Sequence, residues 1–143
     1  MSLEMEELFT VHVKIENSIE LKNADGDSVV MITFAGHVTG TCFEGFVCEG
    51  GVDTQIIGKA GGRHSLSARY MLQGQDYMGQ ACEIYIENNG YIGEMKGDRL
   101  FRTSPRLITN SQALSQLNVD ALIGEGYPAE GGGVDIKIFK VRS

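Results

Sequence analysis

Apolar and polar residues alternate along most of the chain. Phe9, Val11, Val13 and Ile15 interleave with Thr10, His12, Lys14 and Glu16, the period-two signature of a half-buried strand. Asn23-Ala24-Asp25-Gly26-Asp27 breaks the pattern with turn chemistry, since Asp-Gly favours the positive φ angles of tight hairpins. Alternation resumes over 28–38, with Val30, Ile32, Phe34 and Val38 on one face and Gly36 there as a bend or bulge. Strands are predicted at 41–48 and 54–57. The loop Gly58-Lys59-Ala60-Gly61-Gly62 precedes a strand over 64–73. In that strand Leu66, Ala68, Tyr70 and Leu72 point one way. Ser65, Ser67, Arg69, Met71 and Gln73 point the other. Gly74-Gln75-Asp76 reads as a turn, 80–87 as a strand and Asn88-Asn89-Gly90 as a hairpin. Further strands are expected at 98–103, 119–125 and 133–141.

One helix interrupts the series. Thr109 and Gln112 have the Thr-x-x-Gln spacing of a capping box, and Ala113, Leu114 and Leu117 follow as a short apolar stripe. A short helix is therefore expected near residues 110–118. No helical segment is long enough for a βαβ crossover, so the sheet should be antiparallel. So many short strands in 143 residues must curl up to hide their edges. The expected fold is all-β: a single-domain antiparallel β-barrel of about nine or ten short strands, with a sandwich as the alternative. Residues 1–7 are expected to form a loose N-terminal tail, and Met1-Ser2-Leu3 resembles an expression-vector scar.

Composition narrows the function classes. Nineteen glycines supply the bends that barrel closure needs. Twelve Lys+Arg against nineteen Asp+Glu give a net charge of -7. That balance argues against nucleic acid, whose affinity comes mainly from neutralised phosphates, and against anionic membranes. No apolar run approaches the roughly 20 residues of a membrane span, and no secretory signal opens the chain. Cys42, Cys48 and Cys82 are an odd number at irregular spacing. Cys42 and Cys48, on one extended strand, would lie roughly 20 Å apart, beyond the roughly 7 Å that a disulfide allows. A reducing cytoplasm is the simplest compartment.

Several short segments, in order, resemble a known family. They are Gly40-x4-Gly45, Gly50-Gly51-Val52-Asp53, Ala68-Arg69-Tyr70, Asn88-Asn89-Gly90, Phe101-Arg102-Thr103, Leu117-Asn118 and Gly124-Glu125-Gly126. The chain is similar over roughly residues 9–141 to the family catalogued as domain of unknown function 3237. The resemblance implies a compact antiparallel barrel of one domain and no established reaction. Two positions depart from the family pattern. Asp76-Tyr77 stands where Asp-Gly is common, and Gln116 where Trp is common.

The candidate ligand-binding residues are Arg69, Asp53, Glu44, Tyr70 and Glu83. If the Arg69 face lines the barrel, its guanidinium would grip a carboxylate or phenolate through paired hydrogen bonds; the alternative is a solvated outer face or a structural pair with Asp53 or Glu44. The family pattern also has an Arg at this position. Asp53 closes a Gly-Gly-Val-Asp turn, where it would act as a base, as the partner of Arg69, or as an Asx-turn former. Glu44 and Glu83 would be general acids or bases if they face an apolar lumen, and solubilising groups if they face water. His12, His37 and His64 lie on separate strands with no metal-ligand spacing, so no metal and no cofactor is expected. Gly124-x-Gly126-x-x-Ala129 is no dinucleotide fingerprint, because Pro128 and three glycines preclude the helix it needs. No nucleophile triad appears. The expectation is a barrel binding one small, largely apolar molecule. An acid–base isomerase, cyclase or lyase on the same frame is the alternative. A solid-cored barrel acting by homo-oligomer formation is a third.

Overall fold

A computed structural model describes residues 4–93 and 97–142. The described residues form ten strands: β1 (Glu4–Leu21), β2 (Ser28–Gly40), β3 (Phe43–Val47), β4 (Val52–Ile57), β5 (His64–Asp76), β6 (Ala81–Ile92), β7 (Phe101–Thr103), β8 (Arg106–Thr109), β9 (Leu122–Pro128) and β10 (Val134–Arg142). Every pairing is antiparallel. β3 and β4 share one place, both lying between β2 and β5. β7 and β8 both pair with β6. β7 also pairs with β9, β9 with β10, and β10 with β1. The sheet thus closes on itself as a barrel, which removes most open edges.

One end of the barrel carries the turns at 22–27, 58–63 and 129–133, here called the upper end. The lower end carries the turns after β2 and β5. Phe9, Phe43, Leu72, Ile84, Ile86 and Ile138 are wholly buried between the strands and fill the lower and middle lumen. At the Gly45–Gly74 pair, β3 and β5 approach so closely that a Cβ on Gly74 would lie 2.6 Å from the Gly45 Cα. Among the described residues no helix is long and apolar enough to cross a membrane.

Four local expectations are corrected. Glu4–Glu7 are not a tail but pair with β10 from Glu4↔Arg142 to Glu7↔Phe139; Met1-Ser2-Leu3 lie outside the described residues. The helix near 110–118 shrinks to one 3-10 turn, Ser115–Asn118. The Thr109 hydroxyl donates to the Glu83 carbonyl at 2.7 Å and accepts the Ser111 N–H at 3.1 Å, so it caps no helix. The strand β8 just before it carries no sequence signal, because four residues after Pro105 show too little alternation. β5 runs on to Asp76, and β6 runs through Asn88-Asn89-Gly90 to Ile92 instead of turning there. Residues beyond Gly90 still find a partner in β7, with Gly90 opposite Thr103.

Candidate functional site

Above the solid lower core, the lumen opens into a cavity of about 80 Å³ at the upper end. Its walls are mostly aliphatic and aromatic, including Ile15, Ile32, Phe34, Phe101 and Val134. The polar side chains lining it are Asp53, Gln55 and Asn88. Register explains how they meet. Ile32 pairs with Asp53, Asp53 with Ala68, and Ala68 with Asn88. Directly paired residues share a face, and Ala68 is buried inside the barrel. Asp53 and Asn88 therefore flank Ala68 on one inward row. They sit two strand spacings apart, roughly 10 Å between backbones, and the small Ala68 leaves the space between them open.

The polar groups here are unusual in lacking partners. Asn88 is fully buried, and neither its Nδ2 nor its Oδ1 has a hydrogen-bond partner among the described residues. Asp53 Oδ1 and the Tyr70 hydroxyl are in the same condition. Leaving such a group dry and unpaired costs about 1–3 kcal/mol. The other Asp53 oxygen accepts from Gln55 Nε2 at 2.8 Å, and Gln55 Oε1 bonds His64 Nε2 at 2.7 Å. His64 thereby holds Gln55, and Gln55 aims the carboxylate. Burial pushes the Asp53 carboxyl above the usual carboxylate range, although the Gln55 and Ser67 hydrogen bonds oppose this. Burial, and then the nearby Asp53 charge, also raise the Tyr70 phenol. The Tyr70 ring stands edge-on to Phe34 at 5.3 Å. Gly124 lies beside Asn88, and a Cβ there would collide with Thr103 Oγ1 and come within 3.3 Å of Asn88 Oδ1.

The five residues singled out from the sequence divide into two groups. Asp53 and Tyr70 face the lumen. Arg69 does not: it is exposed on the outer face of β5, opposite Val52 and Glu87. Its neighbours Ala68 and Tyr70 take the inner face, so period two forces the guanidinium outward. Glu44 is likewise exposed on the outside of β3. Glu83 is half-buried there and accepts from Asn110 Nδ2 at 2.9 Å. None of these three lines the cavity. Asn88 and Gln55 are the residues that sequence reasoning missed. Cys82, Ile84, Ile86 and Asn88 keep one phase, so extending that alternation by one step would have placed Asn88 inside.

The histidines are less scattered than expected. His12 and His37 form a cross-strand pair on the outer face, stacked at 4.5 Å. His12 Nδ1 lies 2.8 Å from Asp135 Oδ1, and His12 Nε2 lies 2.7 Å from Thr39 Oγ1. This Asp–His–Thr line satisfies itself on the outer sheet face, whereas the lumen's polar atoms do not. That contrast singles out the lumen. Among the described residues, no group of three or more His, Cys, Asp or Glu is placed to hold a metal ion.

A family model described as "Protein of unknown function (DUF3237)" matches residues 3–141. The chain belongs to that family. A UPF0311 protein of Clostridium acetobutylicum is 33% identical, with 74% of each chain covered. A solved structure from Clostridium acetobutylicum, of a protein of unknown function, has a TM-score of 0.82 and 25% identity over 99% of both chains. An enzyme from Penicillium herquei has a TM-score of 0.72 at 17% identity, over 99% of this chain and 96% of its own; that likeness extends to the fold. The segments Gly-Gly-Val-Asp and Asn-Asn-Gly that carry the resemblance are those that place Asp53 and Asn88 in the lumen of this DUF3237 barrel.

Proposed function

We propose that this barrel binds one small, mainly apolar molecule at its upper end, with a polar head held by Asp53 and Asn88. The observation that carries this reading is the set of unpartnered buried atoms on Asp53 and Asn88, which both line one cavity. Buried polar groups in folded proteins are nearly always paired, and exceptions call for a functional account. A ligand head with a hydroxyl or carbonyl would supply the missing bonds.

The size of the cavity limits what is enclosed. Its volume of about 80 Å³ is roughly half that of the engineered 150 Å³ cavity that takes benzene. Only a head of a few heavy atoms fits inside. The rest of the molecule would lean on Ile15, Ile32, Phe101 and Val134 at the rim. Ile15, 52% exposed, offers such a surface.

Native mass spectrometry of the purified protein, sprayed gently and then with activation, tests the reading. Hydrocinnamyl alcohol, a hydroxyl head on an apolar body, serves as the added probe. Uptake of one probe molecule per chain, lost in Asn88→Leu, is the expected result. A chain that arrives without adduct and takes up no probe at millimolar concentration contradicts it.

A further inference from the structure

We propose that the upper cavity is a proton-transfer site for enolisable carbonyl compounds, with Asp53 as the base and Asn88 as donor to the developing enolate oxygen. This rests on the binding reading above and names its substrate class.

The lining decides the reaction type. Of the described side chains around the cavity, Asp53 alone titrates, and none is a serine, threonine, cysteine, lysine or histidine. Covalent catalysis through those nucleophiles is therefore absent from the lining, while acid–base chemistry is present. A carboxylate is a weak base, so the C–H it attacks must be made acidic by an adjacent carbonyl. Across Ala68 from Asp53, the Asn88 Nδ2–H group is buried and has no partner. Preorganised donors of this kind stabilise an oxyanion most strongly when water is excluded. Two strand spacings, roughly 10 Å between the backbones, let both side chains reach inward and still leave room for a C–C=O unit. One of its ends would meet Asn88 and the other Asp53, at the roughly 3–3.5 Å of a near-attack arrangement.

The step balances without an oxidant or a second substrate. Asp53 Oδ1 takes the α-proton. The C–H electron pair becomes a C=C bond, and the carbonyl π pair moves onto oxygen, where Asn88 Nδ2–H donates to it. The carboxylic acid then returns the proton to the α-carbon, or to the γ-carbon where a double bond has been conjugated. Gln55 keeps Oδ2 occupied, so Oδ1 is the oxygen that reacts. His64 and Gln55 are positioning residues. The raised pKa of Asp53 brings its basicity nearer to neutral pH, where a general base works best.

Benzylacetone has a methyl-ketone head and an apolar body that match the cavity and its rim. Its binding is followed by shifts in the protein's nitrogen–proton spectrum. Its α-proton exchange is followed separately by proton NMR in heavy water. The wild-type chain should bind it and accelerate exchange by about a hundred-fold to ten-thousand-fold over buffer. Asp53→Asn should abolish that acceleration, and Asn88→Leu should lower it on the order of a hundred-fold. Binding without faster exchange overturns the catalytic proposal and leaves the binding reading standing. No binding overturns both. Exchange unchanged in Asp53→Asn overturns the proposal. Should that variant not fold, the wild-type pH profile decides. A rate that rises through one ionisation above the usual carboxylate range and then levels off supports Asp53; a rate that merely tracks hydroxide overturns it.

Discussion

Replacing Asn88 by leucine should make the unliganded barrel more stable. Asn88 is wholly buried, and both ends of its amide lack partners among the described residues. Each unsatisfied group costs about 1–3 kcal/mol, and leucine carries neither. The two side chains are close in volume, and the adjoining cavity of about 80 Å³ absorbs the difference in shape. Some of the gain is lost because the asparagine is also solvated less well in a compact unfolded chain. A net stabilisation of about 2–3 kcal/mol is therefore expected. For a domain of this size that raises the melting temperature by roughly 6–10 °C. Thermal unfolding followed by circular dichroism measures it, and urea midpoints check it independently. A melting temperature several degrees below wild type would refute the reasoning. It would mean that the amide is satisfied in the native barrel and serves the fold. Stability gained together with lost binding is the trade expected of a functional site.

Arg69→Ala should leave probe binding unchanged and shift stability by no more than about 0.5 kcal/mol, because the side chain is exposed on the outer face; a lost ligand would contradict this. Asp53 makes stability depend on pH in a definite sense. Its folded pKa is raised, so the native state holds the proton more tightly than the unfolded chain does, and stability falls as pH climbs from the ordinary carboxylate pKa of about 3.9 through the folded value. Asp53→Asn should therefore gain on wild type across that window, as paired urea titrations at several pH values would show; a gain that shrinks with rising pH would reverse the sign of the argument. Burial pushes the Cys42 thiol up to about 11, so its alkylation by iodoacetamide at neutral pH should be slow, and rapid labelling mapped to Cys42 by peptide mass would contradict that placement. Gly124→Ala should destabilise by about 1–3 kcal/mol, since a Cβ there meets Thr103 Oγ1 inside the barrel; an unchanged melting temperature would show that the inner wall gives way.

Period two made the architecture legible. The alternations at Phe9–Ile15, Leu66–Leu72 and Val134–Ile138 became β1, β5 and β10, with their apolar members on the inner face, where Ile15 at the upper end is exposed. Closure was legible too, because so many short strands have few other ways to hide their edges. The site was legible only in part. Asp53 was named, but its inward direction depends on the Asp53↔Ala68 register, which no local pattern specifies. For Arg69 the alternation leaves both faces open, and the structure takes the solvated outer one. The alternation Leu66, Ala68, Tyr70, Leu72 holds more buried area than Ser65, Ser67, Arg69, Met71, and that settles the matter. Asn88 was hidden by its own composition, since Asn-Asn-Gly is a strong hairpin signal and tertiary pairing with β7 and β8 overrode it. At Ser115–Asn118 only a 3-10 turn forms: the Thr109 hydroxyl of the expected capping box donates to the Glu83 carbonyl instead, while the Ser111 hydroxyl donates to Asp76 and accepts the Leu114 N–H at 3.1 Å.

The central claim is that a ligand's polar head meets the buried amide of Asn88. The side-chain Nδ2–H₂ signals of Asn88, assigned by their loss in Asn88→Leu, report on that contact directly. Titrating the wild-type chain with hydrocinnamyl alcohol should shift both signals in a saturable manner, alongside those of Leu66 and Ala68. Saturable shifts elsewhere, with the Asn88 amide unmoved, would contradict the account.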